Sequence, residues 1–254
     1  MQALIRSGQP ADTDRPSRAL ELADCPVPDP GRGQVLVEME ASGCNPADLA
    51  ALAGTYAVSQ RPGEICGFEG CGRVVAAGPG LLGRYLMGKR VACVTQGPNG
   101  LWAEYAAVPA QMCLPVGETL PMPAAAAFFV NPMTSWVFAE MIRRAGARAV
   151  VLSAGASQVS RGVLALCRTR GVQIVLIVRR NSQIDELKAA GAAEVLDLGA
   201  AGFAEALRDV GARLQPSLYF DATGGVLTEA VMQALPPGAE TIVYGGLAAT
   251  GAGA

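Results

Sequence analysis

The sequence predicts an α/β protein in two parts, an irregular and mostly β barrel-like N-terminal region followed by a doubly wound parallel sheet. Three observations predict it. From Arg148 onward, short apolar β-type runs alternate regularly with helical patterns, the rhythm of strands joined by crossover helices. Before residue 118 the apolar runs are short and separated by Pro and Gly turns, the rhythm of an irregular β domain. The chain has 254 residues, 51% of them hydrophobic and 17% charged, enough for one large domain or two modest ones with a sizeable core.

In chain order, strands are predicted at residues 35–39, within the glycine-rich stretch 64–77 around Val74 and Val75, at 90–94 and at 102–108. Pro30-Gly31, Gly78-Pro79-Gly80 and Gly97-Pro98-Asn99-Gly100 supply the turns. Composition shifts between Pro115 and Pro123, which places a domain boundary between residues 1–118 and 119–254. Residues 124–130 and 134–141 read as two helices divided by Asn131-Pro132. A strand follows at 149–152. Val159, Val163, Leu166 and Cys167 then share one helical face, and Gly171 marks the stop. Residues 174–178 are apolar throughout, as a strand covered on both faces should be. Further strands are predicted at 194–198, 217–220 and 241–244, with helices at 182–190, 203–210 and 226–235. Residues 248–254 are small and show no sixth-strand pattern, so the sheet is expected to lack its last strand.

The first strand–helix turn, Ser153-Ala154-Gly155-Ala156-Ser157-Gln158-Val159-Ser160, is where a pyrophosphate would sit against free N–H groups. A full dinucleotide fingerprint has three glycines. Only Gly155 is present, and Gln158 and Ser160 stand where glycine would help. The turn alone leaves two readings, a dinucleotide site or a loop that binds nothing. Arg179 and Arg180 end the next strand where a ribose-binding Asp or Glu would stand. Arginine there suits a 2′-phosphate, which favours NADPH over NADH; the other reading is two solvated arginines.

Composition excludes several function classes. The net charge of −2 gives no reason to expect nucleic acid or an anionic membrane as partner. No apolar run approaches a membrane span, and the N-terminus lacks a secretory pattern, so a cytoplasmic location is expected. Histidine is absent, which removes any His-based acid, base, triad or metal ligand. The seven cysteines form no C-x-x-C pair and read as small buried hydrophobes.

Five segments resemble one family, in order along the whole chain. Cys44-Asn45-Pro46-Ala47-Asp48 followed by Gly54-Thr55-Tyr56 resembles NPxD…GxY. Gly67-Phe68-Glu69-Gly70-Cys71-Gly72-Arg73-Val74 resembles GxEGxGxV, and Val130-Asn131-Pro132-Met133-Thr134-Ser135 resembles VNPxTA. Val178-Arg179-Arg180 and Tyr244-Gly245-Gly246-Leu247 match two further cofactor-contact segments. The resemblance is to the medium-chain dehydrogenase/reductase superfamily, in its zinc-independent quinone reductase and 2-enoyl thioester reductase branch.

That resemblance implies a GroES-like catalytic domain, a Rossmann NADP-binding domain and no zinc. Asn45 and Phe68 stand where zinc-dependent members carry Cys and His ligands. It implies hydride transfer from NADPH to the β-carbon of an α,β-unsaturated carbonyl compound, foremost an enoyl thioester. Tyr56 matches the proton-donating tyrosine, and Asn45 would fix the Tyr56 loop or contact substrate. Asn131, Thr134, Ala156, Ser157, Gln158, Val159, Arg179, Arg180, Tyr244, Gly245, Gly246 and Leu247 would contact the cofactor. Relatives continue past the Tyr-Gly-Gly segment into a sixth strand that often pairs two subunits. The sequence therefore reads as C-terminally truncated, with any homodimer impaired. Two alternatives stay open: a quinone or enone reductase, and a non-catalytic NADPH-binding or structural protein.

Overall fold

The computed structural model describes residues 1–9, 12, 14–58, 60–97 and 99–248. It comprises two compact units, Met1–Val130 and Asn131–Ala254.

In the first unit, β1 (Gln2–Arg6) and β2 (Leu20–Asp24) form an antiparallel ribbon. The main sheet contains β3 (Gln34–Ser42), β4 (Glu69–Ala77), β5 (Arg90–Val94), β6 (Tyr105–Pro109) and β7 (Cys113–Pro115), in the order β6-β3-β4-β5-β7. Every pairing in it is antiparallel, and β3 slips register against β4 at Leu36/Val37 and again at Met39/Ala41. Such bulges bend a strand and tighten its twist. Val35, Val37, Val74, Leu86, Val91, Cys93, Leu101 and Val108 fill the core beneath it. Three short helices decorate the sheet: α1 (Pro46–Leu52), α2 (Leu81–Leu86) and α3 (Met122–Ala126).

Two strand predictions shift. The glycine-rich strand starts at Glu69, and the 102–108 strand starts at Tyr105. Trp102 is the reason for the second shift. Its Nε1 donates to the Gly43 carbonyl at 2.8 Å, and its ring lies over Gly67, where a Cβ would come within 2.3 Å of Cδ1. Residues 119–130 stay with the first unit because Ala125 and Ala126 pack on Cys71.

Two helices were predicted here and two form, α3 and α4 (Val130–Ala145), but the break between them falls at 127–129 and not at Asn131-Pro132. Asn131-Pro132 lies in the first turn of α4, where a proline has no intrahelical N–H to forfeit. The sheet contains β8 (Ala149–Leu152), β9 (Gln173–Val178), β10 (Glu194–Asp197), β11 (Leu218–Asp221) and β12 (Glu240–Val243). All pairings are parallel, in the order β10-β9-β8-β11-β12, which is 3-2-1-4-5 within the unit. The helices α5 (Gln158–Cys167), α6 (Ile184–Ala189), α7 (Phe203–Leu214) and α8 (Val226–Ala234) connect the strands. Both faces of β9 are covered: Ile174, Leu176 and Val178 join one core, Val175 and Ile177 the other.

Helix α5 buries Val159, Val163, Leu164 and Cys167, whereas Leu166, predicted on that face, is 39% exposed. Gly171 has φ +69° and closes the turn that follows. The predicted 248–254 tail lies outside the described residues beyond Ala248.

Candidate functional site

In the first unit the NPxD segment folds into a helix start. Asn45 is the N-cap of α1 and Pro46 its first residue. The Asn45 backbone N–H donates to Asp48 Oδ2 at 2.7 Å, and the Phe68 N–H donates to Asp48 Oδ1 at 2.9 Å. Asn45 Nδ2 donates to Glu69 Oε1 at 2.7 Å. The other Glu69 oxygen accepts from the N–H groups of Phe129 and Val130 at 3.2 and 2.8 Å. Asn45, Asp48 and Glu69 are all buried. Burial pushes the Asp48 carboxyl up to about 6, helped by the nearby Glu69 and opposed by the N–H groups of Asn45 and Phe68.

Tyr56 follows α1 after Gly54, which takes φ +73°. It is 39% exposed, its ring lies 5.8 Å from that of Phe68, and its hydroxyl makes no hydrogen bond among the described residues. One connected set of contacts thus runs from Glu69 through Asn45 and Asp48 to Phe68 and the Tyr56 ring. Asn45 sits beneath this layer as a cap and donor. Asp48 and Glu69 were not singled out as site residues. The asparagine–aspartate capping pair at i and i+3 was the signal for the first of them. Among the described residues no group of three His, Cys, Asp or Glu side chains could hold a metal ion.

In the second unit the turn between β8 and α5 carries the chemistry. Ala154 has φ +48°. Gly155 lies flat on β9: its N–H donates to Ile177 O at 2.8 Å, and a Cβ would fall 2.7 Å from Leu176 Cβ. Ser157 caps α5, accepting from the Ser160 N–H at 3.2 Å. The N–H groups of Ala156, Gln158 and Val159 meet no acceptor among the described residues, as expected for the first turn of a helix.

Of the two missing glycines, the one at position 160 has a structural explanation. Ser160 is fully buried, and its hydroxyl donates to Ala154 O at 3.1 Å. Close packing is supplied by Gly162 instead, where a Cβ would meet Ser135 Oγ at 2.3 Å. The Ser135 hydroxyl contacts Asn131 O at 2.8 Å and Val159 O at 3.0 Å, which ties α4 to α5. Arg161, also unforeseen, steadies the turn: Nε donates to Ala156 O at 3.1 Å, while the guanidinium grips Glu186 with both terminal nitrogens at 2.6 and 3.0 Å.

Beside the turn, Asp221 ends β11. Its Oδ1 accepts from Ser153 Oγ at 2.9 Å, Thr223 N at 2.9 Å, Thr223 Oγ1 at 2.8 Å and Gly224 N at 3.1 Å, and its Oδ2 from Thr228 Oγ1. Burial pushes this carboxyl up, but the hydrogen bonds from Thr228, Thr223 and Gly224 outweigh it and hold the group at about 2.

Tyr244 turns inward. Its ring packs edge-on against Phe138 at 4.8 Å, Phe138 stacks on Phe220 at 4.4 Å, and its buried hydroxyl lies near Ser157 and Ser160. Its side chain therefore supports the turn from below. The backbone beyond it presents Gly245, Gly246 and Leu247, with Gly245 tight against Ala222 O. Arg179 and Arg180 are exposed at the end of β9. Asn131 and Thr134 are half-buried in the first turns of α4.

A GroES-like antiparallel unit followed by a Rossmann-type sheet with such a turn defines the architecture of a medium-chain dehydrogenase or reductase. Comparison with known proteins agrees. Residues 31–118 match the family model described as the alcohol dehydrogenase GroES-like domain. A solved structure of a putative NADPH:quinone reductase from Mesorhizobium loti is 35% identical with a TM-score of 0.89, covering 97% of this chain and 72% of that one. A Thermus thermophilus quinone oxidoreductase, solved alone and with NADPH, is 28% identical with a TM-score of 0.73, covering 95% and 72%. A mitochondrial enoyl-[acyl-carrier-protein] reductase from Caenorhabditis elegans is 29% identical over 91% of this chain. The chain spans 68% of the length of that relative and 63% of its Arabidopsis thaliana counterpart. The chain belongs to the medium-chain dehydrogenase/reductase superfamily, in its zinc-independent quinone reductase and enoyl thioester reductase branch.

Proposed function

We propose that the protein is an NADPH-dependent oxidoreductase that delivers hydride to the β-carbon of an α,β-unsaturated carbonyl compound, foremost an enoyl thioester. The observation that carries this reading is the β8–α5 turn. Its three N–H groups at Ala156, Gln158 and Val159, which meet no acceptor among the described residues, adjoin a glycine that a Cβ would push off β9. These residues fit a pyrophosphate, which needs N–H donors and the positive end of a helix. Arg179 and Arg180 fit a 2′-phosphate, and the Gly245–Gly246 backbone, held against Ala222, fits a flat ring.

When bound, NADPH supplies the hydride. The chain's own groups handle the charge and the proton. As the β-carbon gains hydride, negative charge develops on the carbonyl oxygen and the α-carbon. The Tyr56 hydroxyl, half-exposed and without a hydrogen-bond partner among the described residues, donates the proton to the α-carbon or orients a water that does. Asn45 acts one layer below, holding α1 and, through Asp48 and Phe68, the Tyr56 ring. A quinone or enone acceptor would use the same donor and is the second reading, supported by the quinone reductase relatives.

The test combines binding and turnover. Fluorescence titration should show NADPH binding tighter than NADH, and Arg179→Ala should narrow that preference by about tenfold. NADPH oxidation should proceed faster with a short enoyl-CoA than with a quinone. Tyr56→Phe should slow turnover by roughly 10²–10⁴-fold while NADPH still binds. Failure to bind NADPH would overturn the reading, and unchanged turnover in Tyr56→Phe would remove that residue from it.

A further inference from the structure

Helix α2 carries its apolar side chains on the wrong side for a core. Only Gly83 and Leu86 are buried. Leu81 is 85% exposed, Leu82 45%, Tyr85 61% and the following Met87 44%. Core packing does not require this face, because Leu86 alone of the helix's side chains joins the core cluster. Its charge is one-sided too. No acidic residue occurs between Glu69 and Glu104, while Arg73, Arg84, Lys89 and Arg90 do. Arg73 is paired with Glu118 and Arg90 with Glu40. Arg84 makes no ion pair among the described residues, nor does Lys89, whose Nζ sits 3.1 Å from the centroid of the Tyr85 ring. Arg32 joins them, because the Gly33 N–H donates to Pro79 O at 3.0 Å and holds the 31–33 turn beside the start of α2. The net charge of −2 for the whole chain conceals this local excess.

We propose that α2 docks the protein on an anionic lipid surface, with Leu81, Leu82, Tyr85 and Met87 reaching the acyl boundary and Arg32, Arg84 and Lys89 meeting headgroup phosphates. Two features favour lipid over a protein partner. The face offers four large side chains, whereas a stable protein interface engages roughly 20–30 residues a side. Its chemistry is that of an interfacial anchor: exposed aliphatic side chains, one tyrosine with the Lys89 ammonium over its ring, and further cations beside them. The inference is independent of the cofactor site, since no residue of α2 takes part in it.

The experiment is vesicle flotation of the whole protein, with phosphatidylcholine alone and with phosphatidylcholine containing phosphatidylserine. Binding should appear only with the anionic vesicles and fade as salt is raised. Arg84→Glu should weaken it about 30-fold, since each cation near such a surface contributes about 1 kcal/mol and a charge reversal counts twice. Leu81→Ser should weaken it about tenfold. Neither change touches the core, so thermal melting should not move. Tyr85→Trp gives a second readout, a blue-shifted emission on adding anionic vesicles. Absence of binding to anionic vesicles overturns the proposal, and so does equal binding by wild type and Arg84→Glu. Concentration-dependent self-association lost in Leu81→Ser, without lipid binding, would assign the face to a second copy of the chain and overturn it as well.

Discussion

Asp48 in the first unit and Asp221 in the second are both sealed from water, at 2% and 0% exposure, and both accept hydrogen bonds from backbone N–H groups. They titrate in opposite directions. Asp48 accepts from the backbone N–H groups of Asn45 and Phe68, is also held by the Asn45 side chain, and has a second carboxyl, Glu69, close by; burial dominates and lifts it to about 6. Asp221 is equally closed to solvent but less deeply desolvated, receives five hydrogen bonds, three of them from hydroxyls, and falls to about 2. Burial raises a carboxyl only while its donors are too few to replace the lost water. The two corners therefore differ in what they are built to tolerate. The Asp221 corner holds a permanent charge beside the turn, whereas the Asp48 corner holds a charge that comes and goes near neutrality.

The most severe way to break this comparison is Asp221→Ala. It orphans the donors on Ser153, Thr223, Gly224 and Thr228 at once. Urea unfolding at pH 7 should show a loss of about 3–5 kcal/mol. A loss under about 1 kcal/mol would mean that the donors find other acceptors, and the account of this corner would fail.

The next largest effect is a pH dependence of opposite sign at the two sites. The folded protein holds the Asp48 proton more tightly than the unfolded chain does. Stability should therefore be fullest near pH 4 and fall by about 2–3 kcal/mol as pH rises to about 6. Asp221 does the reverse. Its contribution is complete above pH 4 and is lost, by about 2 kcal/mol, as pH falls towards 2. Asp48→Asn should flatten the limb between pH 4 and 6 and leave the acid limb alone. An unaltered slope between pH 4 and 6 would show that Asp48 does not titrate there.

The second unit was the more legible of the two, and the reason is physical. Its parallel strands are buried on both faces, so Ala149–Leu152 and Gln173–Val178 stand out as unbroken apolar runs and their bounds nearly match the prediction. In the first unit, the β1–β2 ribbon, α1 and α2 escaped notice. Gln2–Arg6 is too short to show alternation, and Pro46–Leu52 hides behind an Asn-Pro pair that reads equally as a turn. At the site, Gly155 was legible because a turn against a strand demands glycine. Ser160 and Gly162 were not, because the close approach occurs two residues further along α5, against Ser135. Tyr244 was visible as a residue of interest, but no pattern in the sequence could say that its ring packs on Phe138.

The smallest prediction asks whether donor number is what sets the sign. Thr228 reaches Asp221 Oδ2, while the other four hydrogen bonds described go to Oδ1. Thr228→Val keeps the shape and removes that hydroxyl alone. Losing one hydrogen bond to a charged group should cost about 1.5–2 kcal/mol at pH 7, because the folded-state acidity of Asp221 moves back towards its unfolded value. The cost should shrink as pH falls from about 4 towards 2, where the folded variant takes up the proton before the folded wild type does, and the acid-unfolding midpoint should shift to higher pH. A penalty of equal size at pH 7 and at pH 3 would mean that Thr228 acts through packing. Donor number would then no longer separate Asp221 from Asp48, and the repulsion from Glu69 would have to account for the difference.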